Sequence, residues 1–401
     1  MKTIIAGNSV ELMAALKAAS GDTQILLRAG TYSNLKVVNI NPGSQVKIAS
    51  YDNAHQAVID VLSVKGSSNL TFQDLTFKHV TDTAKYISSE IKVTSSQDIK
   101  FVHNDVMGSV DKNFTNDVSG IEVKGSERVQ ILDNKFHDLA HALFAHESND
   151  LIIAGNDVRM VREGFDFAGV TDTLIDRNLF TDFRPNLTGT TPDHPDAIQF
   201  WTTNSTGSSD VQISNNAFLF GQGLAIQGIF VSSQNGGASS HSDFTIDNNV
   251  YQGQSRNAIY LAHADDSAIT NNTVLSAAKV GTSYYLDPAI NTISTSNTVV
   301  SGNIAAMIIP RSDDGLISKN NFDVFDYKSG KGATNADLFT QTITAASKAN
   351  DFVAKASSAA GAAGAGFHAV DVVGNWAKVS EGWLSHYHSL IDNPTANAHI
   401  A

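Results

Sequence analysis

The nine residues Asp193-His194-Pro195-Asp196-Ala197-Ile198-Gln199-Phe200-Trp201 gather two carboxylates, an imidazole, an amide and a large aromatic ring. Such a set can move protons, because a neighbouring carboxylate raises the basicity of an imidazole while burial lowers it, which brings its titration near neutral pH. His194, between Asp193 and Asp196, is the leading candidate base. Pro195 lacks a backbone donor and fixes φ, so the stretch should open as a turn. Ala197–Trp201 then reads as a β-strand running into the Thr/Asn/Ser/Gly-rich turn 202–209.

The elements that position this chemistry are copies of one repeat. Residues 210–218 (Asp-Val-Gln-Ile-Ser-Asn-Asn-Ala-Phe) recur in varied form at 128–136, 150–158, 172–180 and 243–251, with the asparagines at Asn216, Asn134, Asn156, Asn178 and Asn249. Weaker copies end at Asn104, Asn272, Asn303 and Asn320, and the copy at 69–77 carries Leu75 in the asparagine's place. Successive asparagines are often about 22 residues apart, with longer intervals where loops are inserted, as in a solenoid of variable coils. Each copy is a period-2 apolar run, a polar turn and a short apolar pair, with no long helical periodicity between copies. Four-stranded propeller blades need nearer 40 residues. The expectation is an all-β chain, a right-handed parallel β-helix, with the asparagine amides stacking from coil to coil.

This pattern resembles the pectin-lyase-like β-helix superfamily over roughly residues 20–325. The run Gly21-Asp-Thr-Gln-Ile-Leu-Leu-Arg-Ala-Gly-Thr-Tyr32 resembles the opening coil of many carbohydrate-active β-helix proteins, including alginate lyases and chondroitinase B-type lyases. Three regions are expected: a helical cap over 1–20, the β-helix over 21–330, and a degenerate last coil with a C-terminal cap over 331–401. The cap helix would start at the capping box Asn8-Ser9-Val10-Glu11 and cover the open end of the solenoid. Trp376, Trp383, Tyr387 and Leu390 would pack the other end.

Composition narrows the partners. With 42% hydrophobic and 17% charged residues a sizeable core forms easily. No run of about 18 apolar residues exists for a membrane span. The absence of cysteine excludes thiolate chemistry and disulfides. A net charge of -13 argues against nucleic acid, since no basic stripe is available to neutralise phosphates. The first residues do not form a convincing signal peptide, and a secreted or cell-surface location is expected from the resemblance.

Aligning the coils on the asparagine also aligns a preceding strand, seen in Ser119-Gly-Ile-Glu122, His141-Ala-Leu-Phe144, Glu163-Gly-Phe-Asp166, Asp196-Ala-Ile-Gln199, Gln227-Gly-Ile-Phe230 and Asn257-Ala-Ile-Tyr260. With the third residue inward, the first and fourth are expected to face solvent. They form one column of His141, Glu163, Asp196, Gln227 and Asn257 beside another of Glu122, Asp166, Gln199 and Tyr260. At the strand spacing of about 4.8 Å, Glu163 and Asp196 become a coupled carboxylate pair. The long insertions after Asn178 and Asn216 would wall this face into a groove suited to an extended polysaccharide.

The resemblance implies a lyase or C5-epimerase acting on uronates, or a glycoside hydrolase. In the first case His194 is the base and Tyr260 the acid, with Asp193, Asp196 and Glu163 completing the catalytic set. Arg162, Arg184 or a bound calcium ion would neutralise the uronate. Hydrolysis would instead use Glu163 and Asp196 as its two carboxylates. His141, Asp166, Gln199, Gln227, Asn257 and Trp201 complete the substrate-binding strip. Chondroitinase B-like lyases use a lysine and an arginine, and no lysine falls on the two columns. The Asp-Pro-His-Glu motif of alginate epimerases is absent as such; Asp193-His194-Pro195-Asp196 holds similar residue types in another order. A tailspike- or adhesin-like binding module is the non-catalytic alternative.

Overall fold

The computed structural model describes residues 1–370 apart from 53, 80–88, 112, 114, 115, 189–191, 203–205, 234–240, 278–287 and 325–332. The chain is a right-handed parallel β-helix. A complete coil gives one strand to each of three parallel sheets, which hold fourteen, eleven and twelve strands among the described residues. One 22-residue step carries His141–His146, Asn149–Ala154 and Asp157–Arg159 onto Glu163–Ala168, Thr171–Asp176 and Leu179–Thr181. The register is direct: Leu143 pairs with Phe165, Ile153 with Ile175 and Val158 with Phe180. These apolar residues point into the solenoid and are buried. Rings also stack along the axis, Phe167 on Phe200 with centroids 4.7 Å apart and Phe180 on Phe218 at 5.0 Å.

The asparagines form the continuous ladder that the repeat predicts. Asn178 Oδ1 accepts from both Asn156 N and Asn156 Nδ2 at 2.9 Å, while Asn178 Nδ2 donates to Asn216 Oδ1 at 3.0 Å and to Ile153 O at 2.9 Å. The ladder runs through Asn104, Asn134, Asn156, Asn178, Asn216, Asn249, Asn272 and Asn303. At its start Leu75 N donates to Asn104 Oδ1 (3.0 Å), so Leu75 does occupy the asparagine's place. Its last member is Asn321 and not Asn320, which sits in the left-handed turn position just before it (φ 55°). That preceding position has positive φ in coil after coil, as at Asp133, Gly155 and Asn215, which is why Asp, Asn and Gly recur there. A second ladder, of serine hydroxyls, went unread in the sequence. Ser67, Ser96 and Ser126 each donate a backbone N–H to the hydroxyl of the next coil's serine (3.1–3.2 Å), and Ser208 N donates to His241 Nδ1 (3.0 Å).

The N-terminal end is closed by the helix Ser9–Ala18, which buries Leu12, Ala15 and Leu16. Asn8 Oδ1 caps it by accepting from Glu11 N at 3.0 Å. Ahead of that helix, Lys2–Ala6 adds a strand to the edge of the first sheet. Residues 333–370 double back along the third sheet. There Leu338, Phe339, Phe352 and Phe367 join Ala217, Val250 and Leu275 in a second apolar cluster. The small-residue run 355–366 belongs to this strap and contains the short helix Ala359–Ala362. The tail aromatics Trp376, Trp383 and Tyr387 and Leu390 lie outside the described residues. No described helix is long and apolar enough to cross a membrane.

Candidate functional site

The site lies on the outer face of the eleven-stranded sheet, over the strands Ser119–Lys124, His141–His146, Glu163–Ala168, Asp196–Trp201, Gln227–Val231 and Asn257–Ala262. Strict alternation would put the first residue of each strand on the same side as the third. The second residue breaks that rule. Gly120, Ala142, Gly164, Ala197, Gly228 and Ala258 form its column, and pairing between coils skips it, passing from His141↔Glu163 to Leu143↔Phe165. The alanines are buried in the core beside the third residues. A Cβ on Gly164 would lie 2.1 Å from Ala197 O, and one on Gly228 would lie 2.2 Å from Ala258 O. Glycine therefore lets the coils close up here, and the first and fourth side chains, His141, Glu163 and Asp166 among them, converge on one face.

Five titratable groups meet there. His141 Nε2 lies 3.1 Å from Glu163 Oε2 and 3.7 Å from Asp166 Oδ2. One coil on, His194 Nδ1 lies 3.0 Å from Asp196 Oδ2. His194 Nε2 is 3.4 Å from Gln227 Nε2, whose side-chain oxygen accepts from Asn257 Nδ2. An amide nitrogen can only donate, so this contact makes Nε2 the acceptor and leaves the ring proton on Nδ1, facing Asp196. The His194 side chain is 65% exposed and that of Asp196 only 1%. Asp166 and Asp196, expected to face solvent, are instead 4% and 2% exposed as residues, with His141 3.7 Å from Asp166 and His194 3.0 Å from Asp196.

Burial sets the electrostatics. It pushes Asp166 up to about 7, opposed by His141 and reinforced by Glu163 and Asp196. Asp196 rises to about 6 by burial, against the hydrogen bond from His194. His194 is raised above the ordinary histidine value, mainly by that same bond to Asp196. Burial opposes charge on His141, yet the hydrogen bond to Glu163 and the charge of Asp166 leave its pKa raised. The two buried aspartates and the two imidazoles thus alter one another's proton affinities as a coupled unit.

The other candidates take distinct places. Arg162 and Asp193 are engaged with each other: Nε donates to Oδ2 at 2.9 Å and Nη2 to Oδ1 at 2.5 Å. Asp193 Oδ2 also accepts from Asn186 N at 2.6 Å, so the pair pins the loop that carries His194 to the sheet. Arg184 is 42% exposed, 3.8 Å from Asp138. Trp201 meets His146 edge-on at 5.7 Å, and Gln199 lies in register with Asp166. The ring of Tyr260 stacks on Phe230 (4.6 Å), and it is Phe230 that meets His194 (5.7 Å), so Phe230 stands between the tyrosine and the base. Sequence reasoning passed over Phe144, Phe230 and Ser119. All three occupy first or fourth places in the aligned strands, which was the available signal.

A family model described as the right handed beta helix region matches residues 60–274. No curated protein matches the chain. Among solved structures, the A-module of a mannuronan C-5 epimerase from Azotobacter vinelandii is similar with a TM-score of 0.52 at 13% identity, over 80% of this chain and 97% of that one. The Dettilon tailspike protein is similar with a TM-score of 0.55 at 12% identity, over 81% of this chain and 64% of that one. At such identities the likeness is one of fold.

Proposed function

The chain belongs to the right-handed beta helix family, and from that premise we propose that it processes an extended acidic polysaccharide by removing the C5 proton of a uronate residue. That step is common to β-elimination and C5-epimerisation. The observation that carries the reading is His194: an exposed imidazole whose Nδ1 is held by a buried carboxylate, leaving Nε2 as the proton-accepting face. Asp196 fixes the tautomer and steadies the imidazolium that forms. Charge developing on the uronate carboxylate meets Arg184 at the rim, beside the His141–Glu163–Asp166 cluster. Partly exposed Trp201 offers a face for a sugar ring. The fold neighbour named a mannuronan C-5 epimerase makes mannuronate polymers the first substrates to try. A substrate of this kind goes with a secreted or surface location.

Hydrolysis through Glu163 and Asp196 has less support, since the Asp196 side chain lies beneath His194 and out of reach of a glycosidic oxygen. The test is turnover of uronate polymers in D2O, followed by ultraviolet absorbance and by NMR at C5. Unsaturated ends identify elimination; deuterium at C5 without chain cleavage identifies epimerisation. His194→Ala and His194→Gln should each lose about 10²–10⁴-fold in rate with melting unchanged. Mutants that fold and keep most of the rate would remove His194 from the chemistry. A wild-type chain that binds uronate polymers without altering them would make this a binding module.

A further inference from the structure

We propose that His141, Glu163 and Asp166 bind one first-row divalent metal ion, of which zinc is the representative, at the floor of this groove. The proposal goes beyond the polymer reading and stands without it. The three ligand atoms lie within 4.8 Å of one another. If each sits about 2.1 Å from a shared ion, the His141–Glu163 and His141–Asp166 separations of 3.1 and 3.7 Å correspond to angles of roughly 95° and 125° at the metal, and side-chain rotation brings the set to regular coordination. Glu163 and Asp166 come from one strand and His141 from the preceding coil, all on packed sheet, so the ligands are held in place.

The surroundings of the ligands point the same way. The His141 ring lies against Phe144 (centroids 4.4 Å apart), and its Nδ1 is 3.4 Å from the Ser119 hydroxyl. That leaves Nε2 turned to the carboxylates, as an outer support does for a metal-binding histidine. The independent sign is a buried oxygen with no donor. Asp196 Oδ1 has no hydrogen-bond partner, on a residue 2% exposed whose charge couples to Glu163 and Asp166. Asp166, 4% exposed, has His141 Nε2 at 3.7 Å, outside hydrogen-bond distance. Buried carboxylate oxygens without donors are costly, and a cation among them removes the cost. One imidazole and a small ligand count favour a zinc-like ion over calcium, which takes six to eight oxygens. Three protein ligands leave positions open for water or a substrate oxygen.

Chelator-stripped full-length protein, equilibrated with zinc, should retain one ion per chain, and excess calcium should not displace it. Cobalt in its place should give visible d–d absorption. His141→Gln and Asp166→Asn, checked for fold by circular dichroism, should each weaken zinc binding about tenfold or more. His137→Gln removes the other histidine set between two carboxylates and should leave the affinity unchanged. Absence of zinc binding by the wild type, displacement by calcium, or equal affinity in both site variants would each overturn the proposal. If a variant does not fold, anomalous diffraction from zinc-soaked wild-type crystals decides: a peak in bonding range of the three ligand atoms supports the site, and no peak there ends it.

Discussion

His194 and Asp196 divide one task between exposure and burial. The imidazole reaches solvent, the carboxylate beneath it does not, and each alters the other's proton affinity. A base works unprotonated, so turnover should rise with pH through the pKa of His194, which Asp196 holds above the ordinary histidine value. Asp196→Asn removes the charge that raises it. The acid limb of the kcat/KM profile should then move to lower pH while the plateau falls by about 10²–10⁴-fold. A limb that stays put would assign the titration to another member of the cluster, His141 or Asp166 first.

The individual coil is held by two devices with different consequences. Asn178 satisfies two donors of Asn156 and donates to Ile153 O, all in a dry interior. Asn178→Ala leaves those donors unpaired, and at 1–3 kcal/mol each the loss should be about 3–5 kcal/mol. Asn321→Ala, at the partly exposed end where water can replace the amide, should cost about 1 kcal/mol. Denaturant melts of the two mutants compare them directly, and equal losses would deny the ladder its role. The second device is the glycine column. A methyl group on Gly164 meets backbone and not a flexible side chain, so Gly164→Ala must push the coils apart where Glu163 and Asp166 converge. Activity should fall more than tenfold, a change read beside the melting temperature, whereas a silent mutant would show that this column tolerates a side chain.

At the scale of the molecule, coupling is strongest between adjacent coils, and the groove crosses them, so its length is set by how many coils face it. The site's carboxylates and the net charge of -13 oppose a polyanion at long range. Salt screens that repulsion, with a Debye length of about 30 Å at 0.01 M and about 8 Å at 0.15 M. KM for a polyuronate should therefore fall as salt rises over that range, with kcat little changed. A KM that climbs with salt would reveal a net attractive path that the charge distribution does not suggest.

The sequence by itself determined the solenoid, because a repeating local pattern dictates where each strand begins and which residues turn inward. It also determined the asparagine ladder, whose members share one place in every copy, and the strand that Asp196 opens, two residues after His194. Tertiary structure alone decided how the candidates meet. Alternation along a single strand would separate Glu163 from Asp166; they converge beside Gly164, where Ala197 of the next coil comes so close that a Cβ would lie 2.1 Å from its carbonyl oxygen. Arg162 and Asp193 find each other across 31 residues, through a loop whose path no local pattern encodes. The serine ladder, the end of the asparagine ladder at Asn321 and the strap over the third sheet are likewise contacts between segments distant in sequence. Burial of Asp166 and Asp196 followed from what lies over them, and that burial gives the cluster its proton affinities. Pattern fixes the face a residue belongs to, but only packing against the next coil sets its depth and its partners.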